Sequence, residues 1–241
     1  MRYSFKMLMG FFFIVNSLWA QNDQSKTCLG MNFSTDYAYR ILNNTEDVQW
    51  IVDHRDETEK PIFGFHGGFS FYHKFRKGVF IEAGLQYSRF GDKIEDIEIT
   101  SSSGMYSIEN KYTTYHDYLA IPLKVAYSIN LDERFSLFMS NGVSTQFFLA
   151  YRFLSRINYN DGTSFSSSSS YYDNPFNFEP VHFMFHSCLG LDVNLNDSWS
   201  MRFEPNFQIS MHSVVDAGIH QRFYSVGMNA SVFYVLGYRK K

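Results

Sequence analysis

Residues Trp199 to His212 (WSMRFEPNFQISMH) are sorted by parity. Trp199, Met201, Phe203, Pro205, Phe207, Ile209 and Met211 are apolar, while Ser200, Arg202, Glu204, Asn206, Gln208, Ser210 and His212 are polar. A β-strand points successive side chains to opposite sides, so the segment has one greasy face and one wet face. Its length is more than twice the usual ~5–6 residues of a globular strand. A tilted strand crossing a bilayer needs about 9–11 residues. A greasy face toward lipid and a charged face toward a lumen account for both the length and the sorting.

Composition supports the membrane setting. The 241 residues include 17 Tyr and 26 Phe, and aromatics reach 19%. Mean hydropathy is nonetheless -0.25. An α-helical membrane protein would show runs of about 20 apolar residues, and none follows the N-terminal region. Abundant aromatics spread over alternating segments match a transmembrane β-barrel, whose signal is weak in any one strand. A formal net charge of -3 gives no reason to invoke nucleic acid.

Residues 1–20 read as a signal peptide. Arg2 and Lys6 form a basic n-region, Met7 to Val15 is the apolar core, and Ala20 precedes the expected cut before Gln21. The remaining domain, 21–241, is then exported. Its two cysteines, Cys28 and Cys188, fall in strands that are not neighbours in the expected barrel, which disfavours a disulfide.

Eight segments alternate: Cys28–Leu42, Pro61–Phe75, Gly78–Phe90, Asp117–Asn130, Arg134–Phe153, Val181–Leu195, Trp199–His212 and Gln221–Leu236. Eight is the smallest common number for a membrane barrel. Arg76-Lys77, Leu131–Glu133 and Asn196–Ser198 are short polar turns. Between them lie the long connections Asn43–Lys60, Gly91–His116 and Leu154–Pro180, and a last, shorter one, Val215–His220. Outer-membrane barrels have short periplasmic turns and long external loops, so the chain starts in the periplasm and rises in the first strand. The long connections, with Ser166–Ser170 in the third, read as solvated loops. Pro122 and Pro205 each remove a ladder donor, so a bulge or strand end is expected beside them.

An eight-stranded barrel is narrow enough for side chains to fill it. The inward residues include Glu82, Lys124, Arg202 and Glu204, at similar depth if the turns set the register. Buried charges must be paired, so these four are expected to form a salt-bridged plug. A proton or small-solute path along them is the alternative. His182, His186 and His212 face inward, but Asp192 is about 33 Å from His182 along an extended strand, and no G-x-S-x-G elbow appears. His66, His73 and His116 are too scattered for metal-ligand spacing. No catalytic, cofactor or metal residue is assigned. Tyr37, Tyr39, Tyr87, Tyr127, Tyr151 and Tyr224 lie toward strand ends, as girdle residues at the membrane interfaces would. The fold-level rival is a soluble lipocalin-like barrel, which would put the apolar residues inside and Glu82, Arg202 and Glu204 on its surface.

With the strands placed, the chain resembles the small outer-membrane barrels related to PorT. The resemblance rests on Trp19-Ala20-Gln21, Gly30-Met31-Asn32-Phe33-Ser34, Phe63-Gly64-Phe65-His66-Gly67-Gly68 and Glu82-Ala83-Gly84-Leu85-Gln86-Tyr87-Ser88. Most of all it rests on Tyr118-Leu119-Ala120-Ile121-Pro122-Leu123-Lys124, similar to that family's Y-[LI]-x-[IL]-P-[LI] strand. The C-terminus departs from a terminal aromatic assembly signal, since Val235–Lys241 follows Phe233 and Tyr234. The resemblance implies an all-β, eight-stranded antiparallel barrel in a Gram-negative outer membrane and offers no catalytic residues to carry over; with the residue reading above, no enzymatic activity and no cofactor are expected. It implies contact with outer-membrane lipid and an interaction role through the external loops. Partners would be envelope or secretion-system proteins, as for an accessory of a secretion or surface-assembly system. A small-solute pore or a ligand-binding barrel using the lumen charges is the alternative function.

Overall fold

The computed structural model describes residues 26–44, 49–75, 78–95, 107–173, 178–215 and 219–236. The expected signal peptide at 1–20, the Arg76-Lys77 turn and residues 237–241 lie outside them. The strands among the described residues are β1 (Lys26–Asn44), β2 (Glu59–Lys74), β3 (Val79–Glu95), β4 (Ser107–Asn130), β5 (Phe135–Tyr159), β6 (Ser164–Tyr171), β7 (Val181–Asn194), β8 (Trp199–Ser210) and β9 (Ile219–Leu236). Eight of them close into an antiparallel ring, β1-β2-β3-β4-β5-β7-β8-β9, sealed by the β1–β9 pair. Closure leaves no strand edge in the ring, so every backbone donor there has a neighbour within the bilayer.

Short turns fix the register at one end. Asp132 Oδ1 accepts from the backbone N–H of Arg134 and Phe135, both at 2.7 Å. Asn196 Oδ1 does the same for Ser198 and Trp199, at 2.9 and 3.0 Å. Asp and Asn occupy these places because their side chains can replace a turn's missing backbone acceptor.

Parity decides orientation. Along β8, Ser200, Arg202, Glu204, Asn206, Gln208 and Ser210 are buried, while Trp199, Phe203 and Phe207 are exposed. The same sorting leaves Leu123, Val125, Tyr127 and Ile129 of β4, and Leu29, Met31 and Phe33 of β1, facing outward. A continuous exposed apolar belt over buried charges is the reverse of a water-soluble barrel, and excludes the lipocalin-like arrangement. Aromatic pairs cap the belt. Tyr37–Phe63, Tyr39–Tyr224 and Phe65–Tyr87 sit toward its outer rim, and Trp199–Tyr234 toward its periplasmic rim.

Inside, the fill is layered. An apolar cluster near the periplasmic end holds Cys28, Tyr72, Phe80, Ala126, Phe138, Cys188 and Phe233. A second, near the outer end, holds Ala38, Phe90, Tyr118, Met184, Val214 and Phe223. Hydrogen-bonded polar residues lie between. Cys28 and Cys188 share the lower cluster and are free thiols.

The long connections depart from the solvated loops expected of them. Helix α1 (Gln49–Thr58) forms in the first. In the third, Ser166–Ser170 belongs to β6, which pairs with the outer part of β5 from Tyr151↔Tyr171 to Asn158↔Ser164. Backbone pairing orders this serine tract without burying apolar surface, so composition misleads there. Asp161-Gly162 makes the turn: Gly162 has φ +85°, and Asp161 Oδ1 accepts from the Thr163 N–H at 2.8 Å. The ring closes without β6. Deleting Ser164–Tyr171 with a short Gly-Ser bridge is therefore expected to leave heat-modifiable gel mobility unchanged, a result that electrophoresis of boiled and unboiled samples would check.

No bulge appears at Pro122 or Pro205. Around Pro122 the β3–β4 register is the same at Ala83↔Leu123 and Gln86↔Ala120, with the ladder skipped between. Around Pro205 it is the same at Cys188↔Asn206 and Leu191↔Phe203. Each proline points its missing donor at one neighbour, and the remaining pairs hold alignment. The register shifts lie higher, between Pro61 and Phe65 on β2, opposite Asp117/Tyr118 on β5, and between Ser107 and Glu109 near the outer end of β4.

Candidate functional site

The registers place two oppositely charged pairs across adjacent strands: Glu82 of β3 beside Lys124 of β4, and Asp192 of β7 beside Arg202 of β8. Lys124 Nζ is 3.3 Å from Glu82 Oε1 and 3.5 Å from Glu204 Oε2. Arg202 reaches both Asp192 oxygens at 3.2 Å through Nε and Nη2. Arg202 Nη1 then meets Glu82 Oε2 at 2.6 Å and Glu204 Oε1 at 3.5 Å. β3 and β8 stand opposite each other in the ring. The Arg202–Glu82 bond therefore spans the lumen from wall to wall.

Arg202 is fully buried. Its guanidinium carbon lies 4.5 Å from the Phe138 ring centroid and 4.8 Å from those of Tyr72, Phe80 and Phe233. Ring faces carry negative charge, so this cage attracts the cation while excluding water. Gly190 makes room for it, because a Cβ there would collide with the Phe138 ring. The cavity beside Lys124, Glu204 and His186 has a volume of about 10 Å³, close to the minimum for one water.

Above the charges runs a hydrogen-bonded layer. His66 Nδ1 lies 2.7 Å from Asp36 Oδ2, Asn206 donates to Ser34 Oγ at 3.2 Å, and His186 Nε2 is 2.6 Å from Ser144 Oγ. His182 instead packs its ring against Tyr118 and His212. Ser34 Oγ also donates to Asp36 Oδ1 at 2.9 Å and Gln208 Nε2 links His66 with Asn206, so these residues form one network around Asp36, while His186, Ser144 and Gln146 form another. Among the described residues, no group of three His, Cys, Asp or Glu is placed to hold a metal ion.

A second constellation sits at the outer mouth. Arg40 Nε donates to Glu59 Oε2 at 2.6 Å, its Nη2 pairs with Glu59 Oε1, and its Nη1 lies 3.3 Å from Asp92 Oδ1. Arg55 of α1 adds a bond to Glu59 at 2.6 Å. These groups line a cavity of about 490 Å³ together with His116, Tyr151, Phe153, Phe178 and Gln221. Tyr151 therefore faces the mouth rather than a girdle, because the β5 bulge reverses the strand's parity above it.

The four expected lumen residues, Glu82, Lys124, Arg202 and Glu204, are brought into contact. Sequence reasoning missed Asp192 as their fifth member, although counting back from the Asn196–Ser198 turn pairs it with Arg202. The cage residues Tyr72, Phe80, Phe138 and Phe233 follow the inward parity of their strands, but only ring closure brings them together, whereas the mouth left no local signal because parity below each bulge points the wrong way above it.

The structure is similar to solved outer-membrane barrels. Neisserial surface protein A overlays at 8% identity and a TM-score of 0.42, covering 87% of this chain and 99% of that one. OprG from Pseudomonas aeruginosa gives 11% identity and 0.33, covering 88% and 93%. AlkL, solved in lipid bilayers, gives 14% identity and 0.37, covering 92% and 96%. Comparison with curated proteins finds no match. The model of the outer membrane protein beta-barrel domain matches residues 19–216, and the chain, an outer-membrane β-barrel, belongs to that family.

Proposed function

We propose that this protein is a closed, non-conducting barrel with a structural or interaction role at the cell surface. One observation carries the reading: the Arg202–Glu82 bond joins opposite walls of the lumen, between a periplasmic vestibule of about 920 Å³ and the outer cavity of about 490 Å³. Such a cross-brace stiffens the ring and blocks ion flow along the axis. The binding part is then the outer end of β4 and β5, with β6 beside them. β4 and β5 run for 24 and 25 residues, more than twice the ~9–11 a crossing needs. Their excess lies on the outer side, where β6 adds a strand exposed along nearly its whole length. Envelope proteins are the proposed partners. An accessory role in secretion or surface assembly draws its support from the resemblance of Tyr118–Lys124 to the PorT-related strand, and export from the residue pattern of 1–20.

Planar-bilayer recording tests closure. The purified barrel is expected to be silent, and steady channel conductance would overturn the reading. A photo-crosslinking residue at Ser168 is expected to capture an envelope protein in intact cells, and absence of any adduct there would remove the interaction role.

A further inference from the structure

The outer mouth is built by two register shifts at one height. One extra residue on β2 between Pro61 and Phe65 turns Glu59 inward, although His66, Ser70 and Tyr72 below it face in with the opposite parity. The extra residue on β5 opposite Asp117/Tyr118 turns Tyr151 and Phe153 toward the same space. Bulges re-aim side chains and concentrate near binding sites. Two that converge on one cavity supply a charged rim and an aromatic wall together.

Side chains that line the cavity carry polar atoms without hydrogen-bond partners among the described residues. They are Asp92 Oδ1, Gln221 Nε2 and both ring nitrogens of His116, on side chains at least nine-tenths buried. Asp92 has only the 3.3 Å ionic contact to Arg40, and Gln221 uses its oxygen to accept from Arg40 Nη1 at 3.1 Å. A buried polar group left unbonded costs about 1–3 kcal/mol, so the arrangement favours an occupant that can bond there. The missing partners are mixed: a carboxylate oxygen needs a donor, an amide NH₂ needs an acceptor, and a neutral imidazole offers one of each. A hydroxyl satisfies both kinds.

The charges fix the occupant's own charge. Arg40 and Arg55 are matched by Glu59 and Asp92, leaving no net charge for an ion to neutralise. Phe153, Phe178 and Tyr151 form an apolar wall on which the C–H face of a ring can lie. A volume of about 490 Å³ is within the ~300–1,000 Å³ of small-molecule sites.

We propose that the outer mouth binds a neutral saccharide unit, its hydroxyls meeting Asp92, His116 and Gln221 and its C–H face meeting the Phe153 wall. The shared chemistry has two sources: a free sugar from outside, or the glycan of a lipid in the surrounding leaflet.

Saturation-transfer NMR on the intact barrel tests this, in micelles of an amine-oxide detergent that carries no sugar headgroup. Maltose, lactose and chitobiose are the probes. At least one is expected to show saturable transfer to its ring C–H protons. Asp92→Asn and Phe153→Ala are each expected to weaken that binding about tenfold or more. Phe153 lies above the membrane-spanning ring, so Phe153→Ala decides alone if Asp92→Asn does not fold. No transfer to any of the three at millimolar concentration, or equal binding by wild type and Phe153→Ala, overturns the proposal. In lipid nanodiscs, competition by lipopolysaccharide against the bound probe identifies the leaflet glycan as the source. Its absence identifies the free sugar.

Discussion

Arg202→Met is expected to keep the barrel from reaching its native state at neutral pH. The substitution retains apolar contact with the Phe138 cage but removes the guanidinium from Glu82, Asp192 and Glu204, all buried, leaving Lys124 paired with Glu82 and Glu204 alone. Removing one partner of a buried ion pair costs about 3–5 kcal/mol, because the remaining charge has neither water nor counter-ion. Three carboxylates share this cation, so the expected loss sits at the top of that range. Urea titration in lipid vesicles, read by the heat-modifiable band, would show the folded fraction collapse. Adding Glu82→Gln is expected to recover part of it, since one stranded charge is then gone. A midpoint within experimental scatter of wild type would mean that the network contributes nothing to stability.

Leu123→Arg is expected to cost about 2–4 kcal/mol, the penalty for a cation on the lipid face near mid-bilayer. Leu123 is 47% exposed, at the centre of the β4 belt. Phe165 is 54% exposed but lies on β6, outside the ring. Phe165→Arg should therefore change stability by no more than about 0.5 kcal/mol. Exposure alone predicts equal, small effects at both positions. The contrast between the two, measured by the same urea titration, reports where the hydrocarbon begins. Equal tolerance of both would place Leu123 outside the bilayer.

Most of the ring was legible because its information is local. Alternation with period two survives in every strand below the bulges, and Asp132 and Asn196 mark their turns through bonds to residues two and three further on. β6 was legible in principle, since Asp161-Gly162 is a strong hairpin dipeptide. The serine tract after it masked that signal by suggesting disorder. The prolines misled for a different reason. Each loses one donor toward one neighbour, and a ring strand has a second neighbour that keeps its alignment.

The sequence by itself determined which face of each strand meets lipid, how many strands close the ring, and that Glu82, Lys124, Arg202 and Glu204 point inward. Side-chain parity and turn chemistry act over a few residues, so they can be read along the chain. Tertiary structure alone decided that Arg202 bonds Glu82 across the lumen, that four aromatic rings enclose it, and that Glu59, Tyr151 and Phe153 turn into the outer mouth. Those outcomes depend on ring closure and on one extra residue in each of two strands. A one-residue insertion reverses every side chain beyond it, and nothing in the neighbouring residues announces it.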